Sequence, residues 1–336
     1  MPDHEGPEAA FISGFQEGHA ILDGMRAIIN DQKLASDSAI AMFGYSGGAH
    51  ATTWGANLAP VYAPELNIIG AAYGGTPIDP QKLFNFINGG LVAGFAGAGV
   101  VGLMNAYPEL YDWVTARLTP QGVKTVETAR ARGSCLITVA GGFPFVNFLS
   151  LINQTDALNQ PIPQKYLKRE SLLEAVSSVG VNVPKFPRLI THALLDEIVP
   201  YADDYQYVQE QCARGADISF VTLPIAEHIL GELETLPLAI IWLTQLYNGQ
   251  QPKTSCGGSL PVLATADSPE LKKIIGDDAV NQLKSLPGRV PKLPTAPAKT
   301  AQAAQAAQAA TAAQAGTAAQ AGQAATASVA KVAKSA

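Results

Sequence analysis

The chain has 336 residues, 47% hydrophobic and only 15% charged, which supports a large core and excludes wholesale disorder. Lys and Arg number 22 against 28 Asp and Glu, a formal charge of −6; with no basic stripe, this excludes a nucleic-acid binder. No uninterrupted apolar run reaches the ~20 residues of a membrane span. The nearest, Gly89 to Met104, is glycine-rich and reads as a packed helical segment, so no stable membrane insertion is expected.

The first residues, Met-Pro-Asp-His-Glu-Gly-Pro, lack the basic, apolar and small-residue profile of a leader. From Pro7 to Asn30, Phe11, Phe15, Leu22, Met25 and Ile29 recur at helical spacing, predicting an amphipathic helix. Ala39–Phe43 is a short apolar run ending at Gly44 and reads as a strand. Thr52 to Tyr62 reads as helix and Leu66–Ala72 as a second buried strand. From Asp79 to about Ser178 the strand signal fades into glycine-rich and helical patterns. A strand returns at Arg188–Ala193, then a helix at Ala202–Arg214, a strand at Ile218–Leu223 and a long apolar helix at Ile229–Tyr247. This alternation predicts a mostly parallel sheet with helices on both faces, carrying an insertion of about a hundred residues. Beyond the Pro-rich stretch Pro287 to Pro297, Ala-Gln-Ala-Ala repeats have no apolar face to dock and predict a disordered or transiently helical tail. Four segments follow: core residues 1–78, an inserted cap at 79–178, core again at 179–290 and the tail at 291–336. Cys135, Cys212 and Cys256 are too far apart for a zinc-type ligand set; either all are thiols or two are bridged.

The central motif is Gly44-Tyr45-Ser46-Gly47-Gly48, a Gly-x-Ser-x-Gly between a predicted strand and a predicted helix. A sharp strand-to-helix turn there strains Ser46 and lifts its hydroxyl above the sheet's carboxyl edge. Glycine at 44 and 48 is expected to let strand and helix approach, and the Gly47 N–H is expected to face a developing oxyanion. A nucleophilic serine needs a base, and the base an orienting acid, from loops after later strands. Asp196 follows the Arg188–Ala193 strand and His228 follows Ile218–Leu223, so Ser46, Asp196 and His228 occur in the order this architecture requires. Among other histidines, His192 sits within a strand and reads as structural, and His50 lies one turn past the serine. His19 is on the polar side of the first helix and His4 is near the terminus. Glu197, Asp203 and Asp204 compete for the acid, but the last two open a helix, where carboxylates serve as caps.

These residues, with Tyr62-Ala63-Pro64-Glu65-Leu66-Asn67-Ile68, Gly74-Gly75-Thr76-Pro77, Val183-Pro184-Lys185-Phe186-Pro187-Arg188, Asp196-Glu197-Ile198-Val199-Pro200-Tyr201 and Pro224-Ile225-Ala226-Glu227-His228, resemble the fungal secretory lipases from Pro2 to about Pro287. The resemblance implies an α/β-hydrolase fold with a helical lid over an acyl-binding tunnel, a flap after Cys256, and extracellular hydrolysis of triacylglycerol esters without cofactor or metal. It places Ser46, Asp196 and His228 on nucleophile, acid and base, Gly47 on the oxyanion hole, and pairs Cys212 with Cys256. In that family a leader, the first strands and one oxyanion-hole residue precede the segment matching Asp3-His4-Glu5-Gly6, where this chain starts. The expectation is a core without its first strands, Ala39–Phe43 at an exposed edge, and Cys135 without its family partner. A carboxylesterase or acyltransferase on the same scaffold, or an inactive lipase fragment, is the alternative. The apolar, uncharged stretch Ile87 to Gly97 suits a surface that opens at an oil interface, and Asn153-Gln154-Thr155 is a glycosylation sequon.

Overall fold

In a computed structural model, the described residues are 8–285 apart from 132–134, 176–179, 257, 261 and 263–264. In chain order, α1 (Gly14–Asp31), β1 (Ile40–Tyr45), α2 (Gly47–Tyr62) and β2 (Ile68–Gly74) open the core. Six helices follow: α3 (Pro80–Ile87), α4 (Gly94–Ala106), α5 (Pro108–Thr115), α6 (Pro120–Ala129), α7 (Leu136–Gly142) and α8 (Pro161–Arg169). The core resumes with β3 (Arg188–Ala193), α9 (Tyr201–Ala213), β4 (Ile218–Leu223), α10 (His228–Tyr247) and α11 (Pro269–Ser285). His4 and the tail from Pro291 lie outside the described residues.

The four strands form one sheet in the order β1-β2-β3-β4, every neighbour parallel. Alternation along each strand divides the side chains between two faces. Met42, Tyr73, Ile190 and Phe220 pack in one cluster with Leu22, Trp54 and Leu58 of α1 and α2 and Tyr207 and Val208 of α9. Ala72, Leu189 and Val221 join Leu238, Ile241 and Trp242 of α10 and Leu271 and Val280 of α11 on the other. β3 is buried throughout, as a central parallel strand covered on both faces must be. β1 stands at one edge with Phe43 exposed at 43%. The outer edge of β4 is covered instead. Ser255 N–H donates to Ile218 O (2.8 Å), Leu260 N–H to Phe220 O (2.7 Å), and the Ser255 and Ser259 hydroxyls accept from Phe220 and Thr222 N–H. A Cys212–Cys256 disulfide ties this strap to α9. The described residues after Cys256 thus line β4 and then enter α11, which packs with α10 and bends at Gly276.

The α3–α8 insertion is anchored by buried carboxylates. Asp79 caps α3 through Lys82 N–H (2.8 Å) and accepts the Ser171 hydroxyl (2.7 Å), joining the two ends of the insertion. Glu170 accepts the Gly14 N–H (2.6 Å) that opens α1, and the Tyr107 hydroxyl. Most of the Ile87–Gly97 stretch is packed, with Leu91 its exposed apolar side chain.

Two sequence expectations are corrected. α1 starts at Gly14 rather than Pro7, because Ile12 adopts φ 65° and breaks the helical path. α2 starts at Gly47, five residues before the expected Thr52. No described helix is an uninterrupted apolar run of that length: α10 carries Glu232 and Glu234. By length and mean hydropathy alone α10 is, among the described residues, one helix able to cross a membrane, and it packs on the sheet through β2 and β3.

Candidate active site

The chain leaves β1 at Tyr45 and enters α2 at Gly47, leaving Ser46 alone to make the turn. Its backbone sits at φ 54°, ψ −122°, a strained conformation for a side chain with a Cβ. Two hydrogen bonds hold it there: Ser46 N–H donates to Gly74 O (2.9 Å), and His50 N–H donates to Ser46 O (2.9 Å). The two motif glycines differ. A Cβ at Gly44 would lie 2.1 Å from the Gly48 carbonyl oxygen, so only glycine fits where strand meets helix. A Cβ at Gly48 would meet nothing within 4 Å, which corrects the expectation that both are sterically required.

The three expected residues converge. His228 Nε2 lies 2.9 Å from Ser46 Oγ, and its Nδ1 lies 2.7 Å from Asp196 Oδ2. Asp196 and His228 are only 7% and 3% exposed, while Ser46 is half-buried and faces a cavity. The other Asp196 oxygen accepts N–H from Ile198 (2.9 Å) and Val199 (2.7 Å), which fixes the carboxylate plane and leaves Oδ2 for the imidazole. Burial pushes the Asp196 carboxyl up, but the hydrogen bond and charge of His228, with help from His192, outweigh it and hold the group below the usual carboxylate range. With Nδ1–H donated to a carboxylate, Nε2 is the ring atom that accepts from the serine hydroxyl.

Several supporting residues carry no family-independent signal in the sequence. The Tyr45 hydroxyl donates to His228 O (2.7 Å) beneath the ring, and burial pushes its phenol pKa up. Glu227 caps α10 by accepting N–H from Ile229 and Leu230 (both 2.8 Å), and Glu197 accepts the His228 N–H (3.2 Å). Glu197 thus anchors backbone and is not in contact with the His228 ring nitrogens. The competing histidines are engaged elsewhere. His50 Nδ1 pairs with buried Glu17 (2.6 Å) while its Nε2 accepts from Trp54 (3.1 Å). His19 packs at a tilt against Tyr62, and His192 is wholly buried against Asp204. Asp203 pairs with Lys82 (3.2 Å). Among the described residues, no group of three His, Cys, Asp or Glu side chains is placed to hold a metal ion.

Gly47 opens α2, so its amide is among the first-turn N–H groups without a helical acceptor, at the positive end of the helix dipole. It lines the cavity of about 370 Å³ with Ser46, His228, Phe11 and Phe95. Val101, Ala129 and Val139 are shared with a second cavity of about 120 Å³ inside the α3–α8 insertion. That cavity is walled by apolar groups such as Phe84, Leu110, Trp113, Phe148 and Leu158.

A family model described as secretory lipase matches residues 1–255. The chain belongs to the secretory lipase family. Lipase A of Moesziomyces aphidis is 49% identical over 287 residues, covering 85% of this chain and 62% of that protein. A secreted triacylglycerol lipase of Malassezia restricta is 34% identical over 260 residues, covering 74% and 54%. The X-ray structure of Candida antarctica lipase A superposes with a TM-score of 0.79 at 48% identity, covering 83% of this chain and 64% of that one. This secretory lipase chain thus has the α/β-hydrolase fold, and it spans less than two thirds of the length of these relatives.

Proposed function

We propose that the chain is a serine lipase that hydrolyses carboxylic esters of triacylglycerols through an acyl-enzyme on Ser46, outside the cell. The observation that carries this reading is the unbroken line Ser46 Oγ–His228 Nε2 (2.9 Å) and His228 Nδ1–Asp196 Oδ2 (2.7 Å).

His228 Nε2 takes the Ser46 proton as Oγ bonds to the ester carbonyl carbon, and the carbonyl oxygen becomes an oxyanion facing the Gly47 N–H. Asp196 holds the imidazole tautomer and stabilises the imidazolium, remaining ionised. The imidazolium then protonates the leaving alcohol, whose bond to the acyl carbon breaks. In the second half, His228 deprotonates a water that adds to the acyl carbon, and the proton returns to Ser46 as the fatty acid departs.

Two features support a lipid substrate. The apolar cavity within the insertion shares walls with the Ser46 cavity, a suitable space for an acyl chain. Leu194, Leu195, Ile225, Ile229 and Leu230, on or beside the loops after β3 and β4, are all exposed, a surface suited to an oil–water interface. Secretion is supported by the family and by relatives named as secreted lipases.

The test is turnover of p-nitrophenyl palmitate and butyrate by the chain and its Ser46→Ala variant. Palmitate hydrolysis that vanishes in the variant is expected. Equal rates in parent and variant overturn the nucleophile, and activity confined to butyrate replaces the lipase by a carboxylesterase.

A further inference from the structure

Behind Asp196 lies a second histidine–aspartate pair that the mechanism above does not use. His192, in β3, is wholly buried. Its Nε2 lies 3.1 Å from Val199 O and 3.5 Å from Asp196 Oδ2, and its Nδ1 lies 2.5 Å from Asp204 Oδ2. A carbonyl oxygen only accepts, so Nε2 carries a proton. Nδ1 also faces an acceptor: Asp204 Oδ2 already receives the Thr76 N–H (3.1 Å). Both ring nitrogens therefore face oxygens: a neutral imidazole donates to only one of them, and the Nδ1–Oδ2 contact needs a proton of its own, carried by the ring or by the carboxyl. A second proton on the ring lets Nδ1 donate to Asp204 Oδ2, while Asp204 Oδ1 is buried with no partner among the described residues.

We propose that His192 is a buried imidazolium, ion-paired to Asp204, and acts through Asp196 as a positioning residue for His228. The inference rests on the serine-hydrolase reading for its consequence, though not for its protonation state. Burial opposes the cation, but Asp204, then Asp196 and the Val199 carbonyl, outweigh it and raise its pKa.

Among the described residues no Lys or Arg is ion-paired to Asp204; Arg188, buried on the same strand, is set against the Tyr207 hydroxyl (3.1 Å). Tyr201 presents its ring edge-on or face-on at 5.6 Å and 85°, held by a hydroxyl contact with Thr222 (2.8 Å). Tyr73 and Tyr45, from β2 and β1, lie within electrostatic reach of Asp204, and burial keeps both phenols protonated. Glu227 and Glu232 act on Tyr45 from α10 and its cap, and Asp203 is paired with Lys82. Along the line His228–Asp196–His192–Asp204, the cation stands closer to His228 than the balancing anion does. Its charge helps hold Asp196 ionised and oriented toward His228, so its loss is felt at the His228 ring.

The test uses the full chain labelled with ¹⁵N-histidine, which has only five histidines to assign. In the parent, His192 is expected to show protons on both ring nitrogens from about pH 7.5 to 9, where an ordinary imidazole is largely neutral. In Asp204→Asn, a side-chain amide can donate to Nδ1 and the ring becomes neutral. The His228 titration midpoint, and with it the acid limb of kcat/KM for p-nitrophenyl butyrate, then moves up by roughly half to one pH unit. His192→Gln is expected to move the limb in the same direction. A parent ring with one proton, or an Asp204→Asn protein that loses thermal stability with an unmoved His228 midpoint, overturns the proposal. Since ring protonation is read without turnover, a failure of the hydrolase reading shows separately, as hydrolysis that survives Ser46→Ala.

Discussion

The contrast between the two motif glycines gives a sharp test of how the serine is presented. Replacing Gly44 by Ala puts a methyl 2.1 Å from the Gly48 carbonyl oxygen, which is backbone and cannot rotate away. Ordinary contact begins near 3.4 Å, so β1 and α2 must part by more than about 1 Å in a core that is close-packed. Overpacking of this kind costs about 1–3 kcal/mol, which for a domain of this size lowers Tm by roughly 3–10 °C. A shift of about 1 Å in the nucleophile also costs on the order of 10² in kcat. Gly48→Ala adds a methyl in open space within the first turn of a helix, and restricting the unfolded chain stabilises by about 0.4–1 kcal/mol. Thermal unfolding by circular dichroism and p-nitrophenyl butyrate turnover measure both variants. Tm is expected to fall for Gly44→Ala and to hold or rise for Gly48→Ala; an unchanged Tm and kcat in Gly44→Ala refutes the strand–helix contact.

Asp196→Asn keeps an oxygen for the Ile198 and Val199 N–H groups but turns an amide toward His228, favouring the tautomer with Nε2–H; kcat is expected to fall by about 10⁴ with KM nearly unchanged in steady-state assays. The depressed pKa of Asp196 gives folding stability that is complete above about pH 4 and is lost as pH falls through its folded value, so urea titrations should show the parent's advantage over Asp196→Asn shrinking on acidification. Cys212→Ser with Cys256→Ser opens a link across a separation of 44 residues and is expected to cost about 4 kcal/mol in the same titrations, releasing the strap from the β4 edge. Val101→Trp blocks the wall shared by the two cavities, and palmitate ester turnover should drop by at least about tenfold while butyrate turnover stays within about twofold.

What the sequence discloses depends on where the physics is local. β3 and β4 match the expected Arg188–Ala193 and Ile218–Leu223 because both are short runs rich in the β-branched, aromatic and aliphatic residues that favour strands. The Ser46, Asp196 and His228 positions were legible because each follows a strand, and the sheet brings strand ends together whatever lies between them. The start of α2 was hidden because Gly47 and Gly48 are poor helix formers, and the turn at Ser46, not propensity, sets where that helix begins. α11 escaped notice because its sequence is polar and it bends at Gly276, so its apolar side has no single period. The His192–Asp204 pair was hidden for a different reason. His192 reads as structural and Asp204 as a helix cap, and only the packing of α9 on β3 brings the two side chains into contact.

The most direct measurement of the central claim is covalent labelling with a p-nitrophenyl phosphonate ester, which reacts with a serine only when an adjacent base removes its proton. Mass spectrometry of the digested protein should find a single phosphonyl group on the peptide bearing Ser46, with Ser46→Ala and His228→Ala left unlabelled. Label on another residue, or equal labelling after His228→Ala, contradicts a serine activated by that imidazole.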